Sequence, residues 1–299
     1  MDKREPLSTV STRFRGPIWQ FLLCQLAPAV LLLATVATSL AAGARAFGGG
    51  QDWFTSLLQG SPFAISLLLA IGAHAFGHYI AARRNGISAC LPYFIPAINT
   101  LGTTGAYTKF TWPIDDRRAL IQIFAAGPIA GCAVSAALFF FGLTLSEVAS
   151  GPPSPGIAFG ESLLTSGMQR FLFPDVMEDQ DIALHPMGVA GWFGLFFNLW
   201  HLFPAGRLDG GRLVYALWGY RINRIVSWLT IATLIALSAV WVGWIVFALL
   251  PILSMVQLNR QHPIERHEER LDWSTVSLTC APFIVLVFTF VPTPTTFLP

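Results

Sequence analysis

Residues 61–84 read SPFAISLLLAIGAHAFGHYIAARR. From Ser61 to Ala82 the stretch is almost wholly apolar, and it ends on Arg83-Arg84. About 20 such residues cross the ~30 Å hydrocarbon core of a bilayer as one helix. Two histidines, His74 and His78, interrupt the run. They stand four residues apart, so a helix stacks both imidazoles on one face, a turn apart. Ionisable groups inside a membrane span are costly, which makes the pair a functional candidate. Two neutral imidazoles so placed can supply two of the three protein ligands of a catalytic zinc. Alone, the pair equally suits two polar side chains turned to a bundle interior.

The rest of the chain agrees with a bilayer. Of 299 residues, 54% are hydrophobic and 11% charged, with a mean hydropathy of +0.59. Soluble domains carry about 25% charged residues. A net charge of +2 is too small to point to nucleic acid. Further spans are expected at Phe21–Ala42, Ala119–Leu145, Met187–Pro204 and Val276–Val291. The first follows a basic arm, residues 1–20, with a cleaved signal peptide as its alternative. Val226–Val256 is long for one span and short for two; Arg260, Arg266 and Arg270 favour a hairpin near Gly243 over one helix kinked at Pro251. The expectation is an all-α polytopic membrane protein with six or seven transmembrane helices, forming one membrane domain over residues 21–299. The arginines put the N-terminal arm, the 83–118 loop and the end of the fourth span on the cytoplasmic side, and loop 146–186 outside. The short arm suggests a bacterial inner membrane. The proline-rich end after Val291 reads as a helix stop. Cys24, Cys90, Cys132 and Cys280 show no CxxC spacing and read as small hydrophobes.

Two segments break the helical pattern. Residues 91–110 are apolar but contain Pro92, Pro96, Gly102 and Gly105, then alternate through Ala106-Tyr107-Thr108. Non-helical backbone at membrane depth survives only against protein or a wet cavity, so a re-entrant loop or β-hairpin lining a site is expected between the second and third spans. Asp209, in Leu208-Asp209-Gly210-Gly211, follows the fourth span at the same side as His78. A carboxylate buried there needs a cation, and a metal shared with the histidines answers that need. Its bland alternative is the cap of a helix over Arg212–Tyr220.

His74-Ala75-Phe76-Gly77-His78 fits the zincin pattern H-E-x-x-H except at its second position. Joined to Pro204-Ala205-Gly206-Arg207-Leu208-Asp209-Gly210-Gly211, to Gly105-Ala106, and to Ala126-Gly127-Pro128-Ile129-Ala130-Gly131, it resembles the site-2 proteases, intramembrane zinc metalloproteases. The resemblance implies Zn2+ held by His74, His78 and Asp209, with single-span transmembrane proteins as substrates in the bilayer. It places Ala75 where those enzymes have the glutamate that moves the water's proton. Proton transfer contributes about 10²–10⁴-fold, so hydrolysis is expected to be nearly abolished. Either the glutamate was removed to trap an inactive enzyme, the favoured reading, or the chain is a natural pseudoprotease that holds membrane proteins without cutting them.

The resemblance also implies that Gly105, Ala106 and Tyr107 receive unwound substrate as an added strand. It has asparagine where His201 stands; His201 reads as a histidine satisfied at a helix interface, with orienting substrate or a metal ligand as its alternative, while Asn198, one turn earlier, is expected to supply the amide and Asn99 is a weaker candidate for substrate backbone. Loop 146–186 is too short for the PDZ domain many of those enzymes carry. A transporter would show internal repeats and polar residues along a path, and neither is found.

Overall fold

The computed structural model describes residues 22–50, 52–110, 114, 116–148, 156–175, 180–258 and 271–298. The basic arm, Gly151-Pro152-Pro153, Arg260, His262, Arg266, His267 and Arg270, which bear on the topology expectations, lie outside the described residues.

Helices dominate. A π-helical turn at Leu22–Leu26 leads into α1 (Ala27–Phe47), followed by α2 (Trp53–Arg84), α3 (Arg117–Thr144), α4 (Leu163–Leu172), α5 (Pro186–Leu202), α6 (Asp209–Leu237), α7 (Gly243–Leu258) and α8 (Trp273–Thr289). Among the described residues, three helices are long and apolar enough to cross a membrane: Leu22–Phe47, Trp53–Arg84 and Arg117–Thr144. α7 and α8 are shorter and also apolar. Their outer faces carry large apolar side chains, Leu33 at 71% exposure and Val246 at 64%. In water such faces would be aggregation-prone, whereas lipid solvates them. Short polar side chains set where the helices begin. Asp52 Oδ1 accepts from the amides of Phe54 and Thr55 at the start of α2, and Asp116 Oδ1 accepts from Arg118 N at the start of α3.

Without a hydrophobic force between helices in lipid, association relies on close backbone approach through small residues. α2 and α3 meet at Gly77, where an added Cβ would lie 2.6 Å from Ala126 O. α5 packs on α3, Trp192 and Leu195 against Phe139 and Leu143. The chain breaks at Gly219 (φ 79°) inside α6, then turns after Leu237 and returns as α7, with Leu234 packed beside Trp244 and Ala248. Val226–Val256 is therefore two helices joined near Gly243, as in the hairpin that the arginines after it favoured.

Among the described residues, six strands pair into three two-stranded sheets, which an all-α reading leaves out. β1 (Tyr93–Pro96) and β2 (Thr103–Tyr107) form the hairpin expected within 91–110. It runs beside α1: Tyr93 Oη donates to Leu23 O, and Thr38 Oγ1 donates to Gly102 O at 2.6 Å. In the 146–186 loop, β3 (Glu147–Val148) pairs with β5 (Ile182–Ala183). β4 (Gly156–Phe159) pairs with β6 (Thr295–Leu298), so the proline-rich end is a strand as well as a helix stop. Cys24 and Cys90 form a disulfide between the first helical turn and the hairpin base, contrary to the reading of all four cysteines as free. Their separation of 66 residues hides the pairing, because only the fold brings the hairpin back to α1.

Candidate metal centre

Helix α2 carries both histidines on its buried face. His78 lies six residues before the helix end at Arg84, a rise of about 9 Å. His74 Nδ1 donates to Asn198 Oδ1 at 2.7 Å. The orientation of that amide is fixed because Asn198 Nδ2 donates to Gly194 O at 2.7 Å. His78 Nδ1 donates to the Ile123 carbonyl at 2.8 Å. Each neutral ring therefore keeps its proton on Nδ1 and presents a bare Nε2 lone pair.

Asp209 opens α6 and arrives from a tight loop. A Cβ on Gly210 would lie 2.0 Å from Leu202 O, so only glycine lets α6 start so close to the end of α5. Gly206, at φ 53°, donates its amide to Ser227 Oγ at 2.7 Å, and Asn223 Nδ2 donates to the carbonyls of Gly206 and Gly211 at 3.2 and 2.8 Å. Asn223 and Ser227, both fully buried, are functional residues the sequence reading missed. Their signal was two small polar residues four apart in an apolar helix, one face aimed at something polar.

The three donors converge. His74 Nε2 is 3.0 Å from His78 Nε2, and each is 3.2 Å from Asp209 Oδ2. A tetrahedral zinc with bonds of about 2.0–2.2 Å separates its ligand atoms by about 3.3–3.5 Å. Two lone pairs and a carboxylate oxygen at this spacing repel one another unless a cation sits among them. The donor set fits a metal. Around it lies a cavity of about 140 Å³ lined also by Ala75, Ala106, Tyr107, Thr108, His201 and Arg212. Arg212 stacks its guanidinium 4.2 Å from the Phe124 ring centre, on a ring that also packs against His78.

A family model, Peptidase family M50, matches residues 62–242, which holds both histidines and Asp209. The chain belongs to peptidase family M50. "Probable zinc metalloprotease EGY2, chloroplastic" of Oryza sativa subsp. indica is 35% identical over 179 residues, covering 57% of this chain and 31% of that protein. The Arabidopsis thaliana protein of the same name is 34% identical, covering 62% and 33%; the Arabidopsis "Probable zinc metalloprotease EGY1, chloroplastic" is 36% identical, covering 53% and 30%. The chain thus spans about a third of the length of these curated relatives. No solved structure matches.

Within this M50 chain the residues expected at the site divide into groups. His74, His78 and Asp209 come together. Ala75 is buried and lines the cavity, its carbonyl accepting from Thr108 Oγ1 at 3.0 Å. Ala106 and Tyr107 line it too; Gly105 instead sits over Phe197, which an added Cβ would strike at 2.7 Å. Asn198 is fully buried behind His74 and orients it, so it is a positioning residue rather than the expected contact for substrate. Asn99 lies in the hairpin turn, where Oδ1 accepts from Leu101 N and Nδ2 donates to Thr103 O; its amide is spent on the turn, away from the cavity.

Losing such an orienting partner lowers metal affinity about 10–100-fold. Asn198→Leu is expected to do so here, read by competition with a chromogenic chelator. Unchanged affinity would mean that packing alone orients His74.

Proposed function

We propose that the chain is an intramembrane zinc-binding member of the M50 family in which the hydrolytic step is disabled at Ala75. The observation that carries this is the convergence of two Nε2 lone pairs and a carboxylate oxygen at 3.0–3.2 Å, beside a buried methyl group where a proton carrier would stand. Zinc, bound by His74, His78 and Asp209, would supply Lewis acidity to a carbonyl and to water. The chain's own residues orient the imidazoles through Asn198 and the Ile123 carbonyl, and among the described residues no carboxylate other than Asp209 lines the cavity to take a proton.

The proposed ligands of the whole protein are single-span membrane proteins. An unwound segment would add to β2, whose Ala106 and Tyr107 border the cavity. Residues 21–299 act as one membrane domain of six or seven spans, the hairpin re-entering beside α1. A second reading, a pseudoprotease that holds such segments without cutting them, is favoured by the same Ala75. The expected bacterial inner membrane finds no support among the relatives, which are named as chloroplastic plant proteins; the location proposed is a membrane, with the centre toward the end of α2 at Arg84.

The test is metal content. The detergent-purified chain is expected to hold one zinc per molecule, and His74→Ala or Asp209→Ala to lose it while remaining helical by circular dichroism. A chain that purifies without zinc and refuses it on titration would sink the reading.

A further inference from the structure

We propose that His201 is a fourth protein ligand of the centre, closing the coordination position that a hydrolytic zinc leaves for water. The inference rests on the metal-binding reading above and deepens it. His201 lies three residues after Asn198 on α5, so both side chains face His74: Asn198 holds its Nδ1, and the His201 ring centre stands 4.8 Å from the His74 ring centre. His201 Nδ1 is 3.7 Å from Asp209 Oδ2. That separation is too long for a hydrogen bond. It is within a few tenths of an ångström of a tetrahedral edge, about 3.3–3.5 Å.

The His201 ring also packs against Phe197, 4.5 Å between ring centres, and Trp200 at 6.5 Å. It is 27% exposed, and among the described residues neither ring nitrogen has a hydrogen-bond partner. An imidazole in that position wants a polar partner. The cavity it lines contains the other three donors; the remaining polar side chains there are Tyr107, Thr108, whose hydroxyl donates to Ala75 O, and Arg207 and Arg212, cations that cannot ligate a metal. A small turn of the His201 ring brings a third imidazole to the face opposite the α2 backbone. Catalytic zinc sites keep one open position, whereas sites with four protein ligands are closed and structural. With alanine at 75, Asp209 is, among the described residues, the only carboxylate lining the cavity, and it is one of the proposed ligands. The closed centre would instead tie α2, α5 and the start of α6 together.

Zinc K-edge X-ray absorption and the visible bands of the cobalt(II)-substituted full chain test this. The expected result is three imidazoles per metal and a tetrahedral cobalt spectrum that azide leaves unchanged. His201→Asn should reduce the count to two, let azide shift the bands, and lower zinc affinity at least about 10-fold; His201→Gln serves if the asparagine form misfolds. Two imidazoles and azide-sensitive bands in the unmodified chain would overturn the inference while leaving the metal site standing. Failure of the unmodified chain to bind either metal would instead overturn the reading on which it rests.

Discussion

The double variant Ala75→Glu, His201→Asn is expected to cleave single-span membrane substrates in a chelator-sensitive way, about 10²–10⁴-fold faster than the unmodified chain. Position 75 is buried next to the ligand His74 and lines the cavity, so a carboxylate there reaches the space where water would be activated. Removing the imidazole at 201 leaves that water a place. Ala75→Glu alone should recover only a small part of the gain, because the base would have no water to act on. A full gain from Ala75→Glu alone would mean that His201 leaves the fourth position open. No cleavage by either variant, with zinc bound in both, would leave the holding role as the better reading.

The same double variant makes a prediction about stability. Its new carboxylate would line the same cavity as the buried Asp209, and two buried acids repel unless a divalent cation lies between them. Stripping the metal should therefore lower its thermal midpoint more than it lowers that of the unmodified chain.

How much of this was readable beforehand depended on distance along the chain. The His74–His78 pair follows from helical spacing alone, and the hairpin from prolines and glycines where lipid forbids loops. Asp209 lies 131 residues from His78, yet two constraints identified it: the cost of a buried carboxylate and its shared side of the membrane. The second layer was not legible. Asn198 looked like a substrate contact because its sequence neighbourhood cannot reveal that Gly194 O and His74 Nδ1 saturate its amide. Asn99 misled for a related reason: its side chain closes the hairpin turn over residues 99–103. The Cys24–Cys90 pairing needed α1 and the hairpin laid side by side.

The glycines of α3 entered the sequence reading as part of the resemblance carried by Ala126–Gly131, and the structure gives two of them a sharper part. A Cβ on Gly127 would stand 2.3 Å from His78 Nε2, 2.5 Å from Cε1 and 2.6 Å from Cδ2, inside the imidazole itself. On Gly131 it would meet Asn198 Oδ1 at 2.3 Å and His74 Cβ at 2.8 Å. One helix therefore leaves room for both ligands. Gly127→Ala is expected to weaken zinc binding by more than the roughly 100-fold that outer partners contribute, because the ring must leave its position between the Ile123 carbonyl and Phe124. The helical fold should survive, since the displaced group is a side chain facing a cavity of about 140 Å³ rather than backbone. Gly167→Ala, in α4 with nothing within 4 Å of its added methyl, is the matched control; it should bind zinc normally and gain about 0.5–1 kcal/mol in stability. Zinc titration and thermal unfolding of the two variants side by side measure this. Normal zinc affinity in Gly127→Ala would show that His78 can reach the metal from another rotamer, and that the glycine floor under the site serves packing alone.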